Sequence, residues 1–285
     1  MWWPFSRRSP AAPTAATSPA PAFALDLAVV SDVGHVRDQN EDRGRSVRPG
    51  DAETLASKGV LVLVADGMGG HEAGDIASTT AADVVSERYY ALPASPRAAL
   101  ERAFTEANAR IYAAAGAPGR TGMGTTCTAL VLRGAEAYWA HVGDSRLYRF
   151  RDGAIERLTI DHSMVAEMVA EGMLTEEEAR HHDARNVITR ALGIHPETEV
   201  TLAGPDVVAP GDVYVLMSDG LYDLVSDLEI AAALVAPSVH TAAHALVDRA
   251  KARGGHDNVT VAVVRVTSER PRVDSRETAP APALS

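Results

Sequence analysis

The sequence predicts an α+β protein with two antiparallel sheets lying between helical layers. Three observations carry this fold class. Strand-like runs at 125–133, 136–142, 146–151 and 154–158 follow one another with no room for helices, so neighbouring strands must pair antiparallel. Residues 60–65 are continuously apolar, as are 213–217 apart from Tyr214, which suits strands buried in a large core. Two Ala-rich helical stretches, 72–90 and 96–114, lie together in the chain and suffice to cover one sheet face.

Taken in order, Phe23, Leu25, Leu27 and Val29 alternate as a half-buried strand, and a turn near Gly34 leads to a second strand at 40–47. After the 60–65 strand, Gly67-Met68-Gly69-Gly70 reads as irregular. The helix at 96–114 carries Leu100, Phe104, Ala107 and Ile111 on one face. Asp152-Gly153 marks a hairpin turn. Residues 163–188 break the strand pattern: they are rich in Met and Glu, Thr175 and Glu178 are spaced as a capping box, and small helices outside the sheets are expected, with Met164, Met168 and Met173 packing them. Strands at 199–208 and 212–217 bracket Pro210-Gly211. A capped helix begins at Ser226, a last helix spans 238–253 before Gly254-Gly255, and 258–267 is a closing strand.

The chain has 285 residues, 46% of them apolar, enough for a full core. Its formal charge of -11 argues against nucleic acid or an anionic membrane as a general partner, because phosphate backbones are held by clustered Lys and Arg. A single cysteine, Cys127, permits no internal disulfide and fits a reducing, cytoplasmic setting. No apolar stretch approaches the roughly 20 residues that span a bilayer, so stable membrane insertion is not expected. Residues 1–22 read as a disordered Pro/Ala-rich leader without a signal-peptide core, though Trp2, Trp3, Arg7 and Arg8 offer docking chemistry. Residues 268–285 read as a polar tail, leaving 23–267 as one domain.

Function is legible in the acids. Asn40-Glu41-Asp42, Asp66-Gly67, Gly143-Asp144-Ser145-Arg146, Ser218-Asp219-Gly220 and Asp257-Asn258 sit at the ends of strand-like runs far apart in the chain. Gathering so many carboxylates at one sheet edge is costly unless a multivalent cation neutralises them. All-oxygen donors favour Mg²⁺ or Mn²⁺ over Zn²⁺. Two such ions about 3.5–4 Å apart lower the pKa of a shared water and ready it for in-line attack on phosphorus, with no protein nucleophile. Arg37, four residues before Glu41, has the fork geometry to hold phosphate oxygens.

Together with Ser31-Asp32-Val33-Gly34 and Asp66-Gly67-Met68-Gly69-Gly70, these ordered motifs resemble the metal-dependent type-2C protein phosphatases, particularly the compact bacterial ones, over residues 23 to about 267. The resemblance implies a four-layer α-β-β-α sandwich that hydrolyses phosphoserine and phosphothreonine in proteins with Mn²⁺ or Mg²⁺. It implies that Asp66 bridges two ions, with Asp219 and Asp257 completing the first site. Glu41 and the Gly67 carbonyl belong to the second, with Asp42 beside it. Because neighbours on a strand point to opposite faces, one of Glu41 and Asp42 is expected to act indirectly. Asp144 with Asp219 resembles a third-ion position, and 163–188, between 159–163 and Thr189-Arg190-Ala191-Leu192-Gly193, resembles the flap that touches substrate. The implied partners are phosphorylated products of a Ser/Thr kinase, and a monomer is expected. Animal members carry a histidine where Met68 stands; His71 is the nearby candidate for proton transfer to the leaving group.

Three rivals frame this reading. Cys127 and Arg133 match the Cys-x5-Arg spacing of thiol phosphatases, but the apolar residues between them read as a strand, not a phosphate loop. A catalytically weak phosphoprotein-binding module of the same fold is the non-enzymatic alternative. A phosphatase dedicated to a signalling-switch or anti-sigma-antagonist protein keeps the chemistry and changes the target.

Overall fold

The computed structural model describes residues 23–69 and 72–268. The expectations for the leader, for His71 and for the tail beyond residue 268 lie outside the described residues.

In chain order the elements are β1 (Ala24–Asp32), β2 (Asp42–Val47), α1 (Ala52–Lys58), β3 (Val60–Met68), α2 (Glu72–Ala91), α3 (Pro96–Ala115), β4 (Gly124–Thr125), β5 (Cys127–Arg133), β6 (Glu136–Val142) and β7 (Arg146–Arg151). There follow β8 (Ala154–Arg157), α4 (Met164–Ala170), α5 (Glu176–His181), β9 (Thr201–Val207), β10 (Val213–Met217), α6 (Asp219–Tyr222), α7 (Asp227–Leu234), α8 (Val239–Ala252) and β11 (Val259–Thr267). One sheet has the order β1-β11-β10-β7-β8; the other runs β2-β3-β5-β6-β9, with β4 paired to β3. Every pairing is antiparallel.

The two-residue period of a strand explains why the apolar runs are unbroken. Val60, Val62 and Val64 of β3 point between the sheets, where they meet Tyr214, Leu216 and Val264 of the other sheet. Leu61, Leu63 and Ala65 point the other way, into a core closed by Ala77, Ala81 and Val85 of α2 and Leu100, Phe104 and Ile111 of α3. In the second sheet Val215, Met217, Val261 and Val263 face Ile230, Leu246 and Val247 of α7 and α8. Each sheet is therefore covered on both faces, which makes four layers.

Several expectations need correction. Gly67 and Met68 are not irregular: β3 runs through them because β4 supplies partners, Gly67 opposite Thr125 and Met68 opposite Gly124. The strand expected at 125–133 is accordingly split at Thr126. Helix α1, with Asp51 accepting the Thr54 N–H at 2.7 Å, was not foreseen, nor was α6. Both expected capping boxes form, Thr175 with Glu178 and Ser226 with Glu229. Met164 and Met173 do not pack inside the 163–188 excursion; they are 42% and 58% exposed, and the roughly two turns of α4 bury only Val165.

Antiparallel order has one consequence for the acids. β2 starts where β3 ends, β7 starts where β6 ends, and β11 starts where β10 ends. Asp42, Asp66, Asp144, Asp219 and Asp257, placed at those ends, are thus delivered to one common edge of the sandwich. The loop after β1, carrying Arg37, ends at the same edge because Asp32 pairs with Val259.

Candidate metal and phosphate site

Asp42 and Asp66 are direct cross-strand partners. Main-chain bonds clamp Asp66 from two sides: its N–H donates to Thr126 Oγ1 at 2.9 Å, and its carbonyl accepts from the Thr126 N–H and the Thr125 hydroxyl, each at 2.8 Å. Breaking the strand at Thr126 makes those contacts possible. Asp42 is buried. Ser218 Oγ donates to its Oδ2 at 2.7 Å while accepting the Thr260 N–H at 3.0 Å, whereas Asp42 Oδ1 has no hydrogen-bond partner among the described residues.

Burial and mutual repulsion set the electrostatics. Burial pushes Asp42 up to about 6, with the Asp257 charge adding to it and the Ser218 and Thr260 hydroxyls opposing it. Asp66 is raised well above the ordinary carboxylate range, first by burial and then by Asp42, Asp219, Asp144 and Asp257. Asp219 rises likewise, through burial and then Asp144 and Asp257. Asp144, also buried, is pushed up to about 7 by burial and by Asp161, against the pull of Arg146 and a hydrogen bond from Tyr222. Four carboxyls at one sheet edge thus resist ionisation, each first because it is buried and then because an acidic neighbour is close.

Glu41 precedes β2, which starts at Asp42, so the strand alternation expected of the pair does not apply to it. Its N–H donates to Asn258 Oδ1 at 2.8 Å and its carbonyl accepts from the Gly67 N–H at 3.2 Å. Its carboxylate lies over Gly74 at the start of α2: a Cβ added there would come within 2.7 Å of Glu41 Cδ, and one added at Gly67 within 2.1 Å of the Gly74 carbonyl. Strand end, helix start and carboxylate are in contact with no side chain between them. Asn258 also donates to the carbonyls of Val33 and Gln39, at 3.0 and 2.9 Å, and so fixes both ends of the Arg37 loop. Arg37 donates to Asp257 Oδ2 at 2.7 Å from a half-exposed position. Burial opposes its charge, but Asp257, Glu41 and Asp219 outweigh that and hold the guanidinium above its ordinary value.

Glu41, Asp42, Asp66, Gly67, Asp144, Asp219, Asp257 and Arg37 therefore lie along one edge of the sandwich. Sequence reasoning missed the residues that support them. Arg43 joins the Asn40 and Asp42 carbonyls, at 2.9 and 2.6 Å, to Thr79 and Asp75 of α2. Arg146 grips Asp161 with Nε and Nη2 and lies 3.6 Å over the ring of Tyr222, whose hydroxyl helps hold the Asp144 pKa down. The Asp144-Ser145-Arg146 motif was a signal for Arg146; no local pattern pointed to Tyr222 or Asp161. Cys127 is wholly buried in β5 with its thiol pKa raised by burial, and Arg133 at the far end of that strand pairs with Glu136 and Tyr138, so the pair forms no thiolate site.

The donor set fits a hard divalent cation. It is all oxygen, it carries an unpartnered buried acceptor in Asp42 Oδ1, and its acids repel one another at neutral pH. Among the described residues no three acidic, His or Cys side chains close on a single point by themselves. That openness suits Mg²⁺ or Mn²⁺, which keep several waters and take few direct carboxylates.

This architecture and site define a metal-dependent serine/threonine protein phosphatase. Residues 28–259 match the family described as Protein phosphatase 2C, and the chain belongs to that family. It is 38% identical over 251 residues to a putative protein phosphatase 2C-type of Streptococcus pyogenes, covering 86% of this chain and 99% of that one. It is 42% identical over 244 residues to the serine/threonine protein phosphatase PstP of Mycobacterium tuberculosis, covering 85% of this chain but only 45% of PstP. The fold matches the crystal structure of a PstP catalytic domain in complex with two manganese ions, with a TM-score of 0.73 and 38% identity over 86% of this chain and all of that one. Among the described residues no helix is long and apolar enough to cross a membrane.

Proposed function

We propose that residues 23–267 form a catalytic domain that hydrolyses phosphoserine and phosphothreonine at the acidic edge of the sandwich, with 163–188 as its flap. The observation that carries this reading is the set of four buried carboxyls at one sheet edge, Asp42, Asp66, Asp144 and Asp219, all held above the ordinary carboxylate range first by burial and then by neighbouring acids, with the Arg37 guanidinium at their rim.

In this reading Asp66, Asp219 and Asp257 hold one Mn²⁺ or Mg²⁺. Glu41 and the Gly67 carbonyl hold a second, and Asp144 with Asp219 a third. When bound, the cations supply the charge that acidifies water and polarises the phosphoryl group for in-line displacement. The chain's own residues do the rest. Asp66, clamped by Thr125 and Thr126, keeps its place under load, and Ser218 occupies Asp42 Oδ2 so that Oδ1 stays open to a water proton. Arg37 binds the phosphoryl oxygens, exchanging its Asp257 partner for substrate. His71, which falls in sequence between β3 and α2, is our candidate for protonating the leaving alkoxide. The domain is proposed to work as a cytoplasmic monomer on substrates of a Ser/Thr kinase.

Phosphate release from a phosphothreonine peptide, measured with Mn²⁺, with Mg²⁺ and with chelator, tests the reading. Turnover that requires either divalent ion and vanishes with chelator is expected. Turnover indifferent to chelator, or none under any condition, would overturn it.

A further inference from the structure

The start of the 163–188 excursion is fastened to the turn that carries Asp144. The His162 N–H donates to the Gly143 carbonyl at 2.8 Å, and the Gly143 N–H returns a bond to His162 Nδ1 at 3.1 Å. Because Nδ1 accepts, the ring proton belongs on Nε2, where the Thr201 hydroxyl takes it at 3.0 Å. The ring lies 4.7 Å from that of His141, which is itself held by Thr128 and the Ile160 carbonyl. Gly143 has little freedom to answer in any other way: at φ 106 it accepts no side chain without strain, and a Cβ would meet Thr126 at 2.6 Å.

The preceding residue reaches the other side of the same turn. Asp161 binds Arg146, and Arg146 stacks on Tyr222, whose hydroxyl opposes the rise in the Asp144 pKa. The far end of the excursion hangs from the same few residues, for the His162 carbonyl accepts the Thr189 N–H at 2.8 Å and the Met164 N–H donates to Val187 at 2.9 Å. Both ends of the excursion thus converge on His162, and His162 reaches Asp144 through a single residue.

We infer that His162 is a positioning residue which couples the flap to the cation held by Asp144, through its Nδ1 bond to the Gly143 N–H. The inference rests on the assignment of Asp144 as a ligand. Occupancy at Asp144 fixes Gly143, Gly143 fixes the imidazole, and the imidazole fixes both ends of the flap stem. By linkage, disorder of the flap weakens the same cation.

Two substitutions separate this from ordinary packing. In His162→Asn the amide oxygen stands near the place of Nδ1 and can accept the Gly143 N–H; in His162→Gln the amide lies near Nε2 and serves Thr201 only. Mn²⁺ binding by calorimetry and tryptic cleavage of the flap at Arg180 and Arg185 are read for wild type, both variants and Asp144→Asn. We expect Asp144→Asn to weaken one class of Mn²⁺ sites. His162→Gln should weaken the same class about 10-fold, as loss of an outer partner does, and should lose the protection against trypsin that Mn²⁺ confers; His162→Asn should stay within about 3-fold of wild type, as expected when the partner is kept. Wild-type binding in His162→Gln, or equal weakening in both variants, overturns the coupling while leaving Asp144 a ligand. Unchanged binding in Asp144→Asn overturns both, starting with the ligand assignment. If His162→Gln does not fold, His162→Phe, which keeps a ring but offers the Gly143 N–H no acceptor, takes its place and must show the same effects, while Thr201→Val, which only unties Nε2, must stay near wild type; wild-type behaviour of His162→Phe, or weakening in Thr201→Val, overturns the inference.

Discussion

Replacing Asp66 or Asp219 by asparagine removes a charge that the fold tolerates poorly without a cation, so activity and stability should move in opposite directions. Both carboxyls are raised well above their ordinary range, first by burial and then by neighbouring acids, Asp42 and Asp219 for Asp66 and Asp144 and Asp257 for Asp219. We expect turnover to fall by roughly 100-fold or more, since even outer-sphere partners of a metal site are worth 10–100-fold. In chelator the melting temperature should rise by about 2–4 °C, the shift that ~1 kcal/mol produces in a domain of this size. Parallel phosphate-release and melting measurements check this, and a variant that lost activity by unfolding would show the opposite shift. Arg37 makes a different prediction because it touches substrate and not the chemistry. Arg37→Ala should raise KM for a phosphopeptide by about 10-fold or more, the worth of a charge-assisted bond, with a smaller effect on an aryl phosphate that has no peptide to align. Equal KM values for wild type and variant on both substrates would remove Arg37 from the site.

At the scale of elements, the junction of β3 with α2 is the point where sequence pattern and site meet. Gly67→Ala would drive a Cβ to 2.1 Å from the Gly74 carbonyl, and neither strand nor helix can retreat without disturbing Glu41. Such overpacking costs about 1–3 kcal/mol, and we expect a lower melting temperature together with weaker Mn²⁺ binding by calorimetry. Serious loss of the first without the second would show that the contact serves the fold alone. The same junction shows what the sequence made legible. Continuous apolar runs and alternation located nearly every strand, because burial of both sheet faces is written into consecutive residues. The continuation of β3 through Gly67-Met68 was hidden, since it depends on pairing with Gly124 and Thr125 far along the chain. Helix α1 was hidden for another reason: seven residues with one partly buried Leu55 carry too little periodicity to stand out. Asp66, Asp144 and Asp219 were legible because each follows an apolar run. Tyr222 and Asp161 were not, because their value lies in what they touch across the fold.

For the molecule as a whole, the acidic edge and the buried histidines pull stability in opposite directions with pH, and the cation decides which prevails. Asp42 at about 6 and Asp144 at about 7, with Asp66 and Asp219 also raised well above the ordinary range, have folded values above their unfolded one of 3.8. The folded protein therefore binds more protons than the unfolded chain, and stability is lost as pH rises through the folded values. His141 at about 3 and His162 at about 4, both depressed by burial, lie below their unfolded 6.5. Their contribution is present above about pH 6.5 and is lost as pH falls toward the folded values. In chelator, lowering the pH from about 8 to about 6.5 titrates the carboxyls before the histidines begin to matter, so the melting temperature should rise. With saturating Mn²⁺ the carboxylates are already neutralised and that rise should disappear, leaving only the histidine-driven fall on the acid side. Melting curves along both pH series measure this directly. Identical pH profiles with and without Mn²⁺ would mean that these acids do not meet the cation, whatever their proximity to one another.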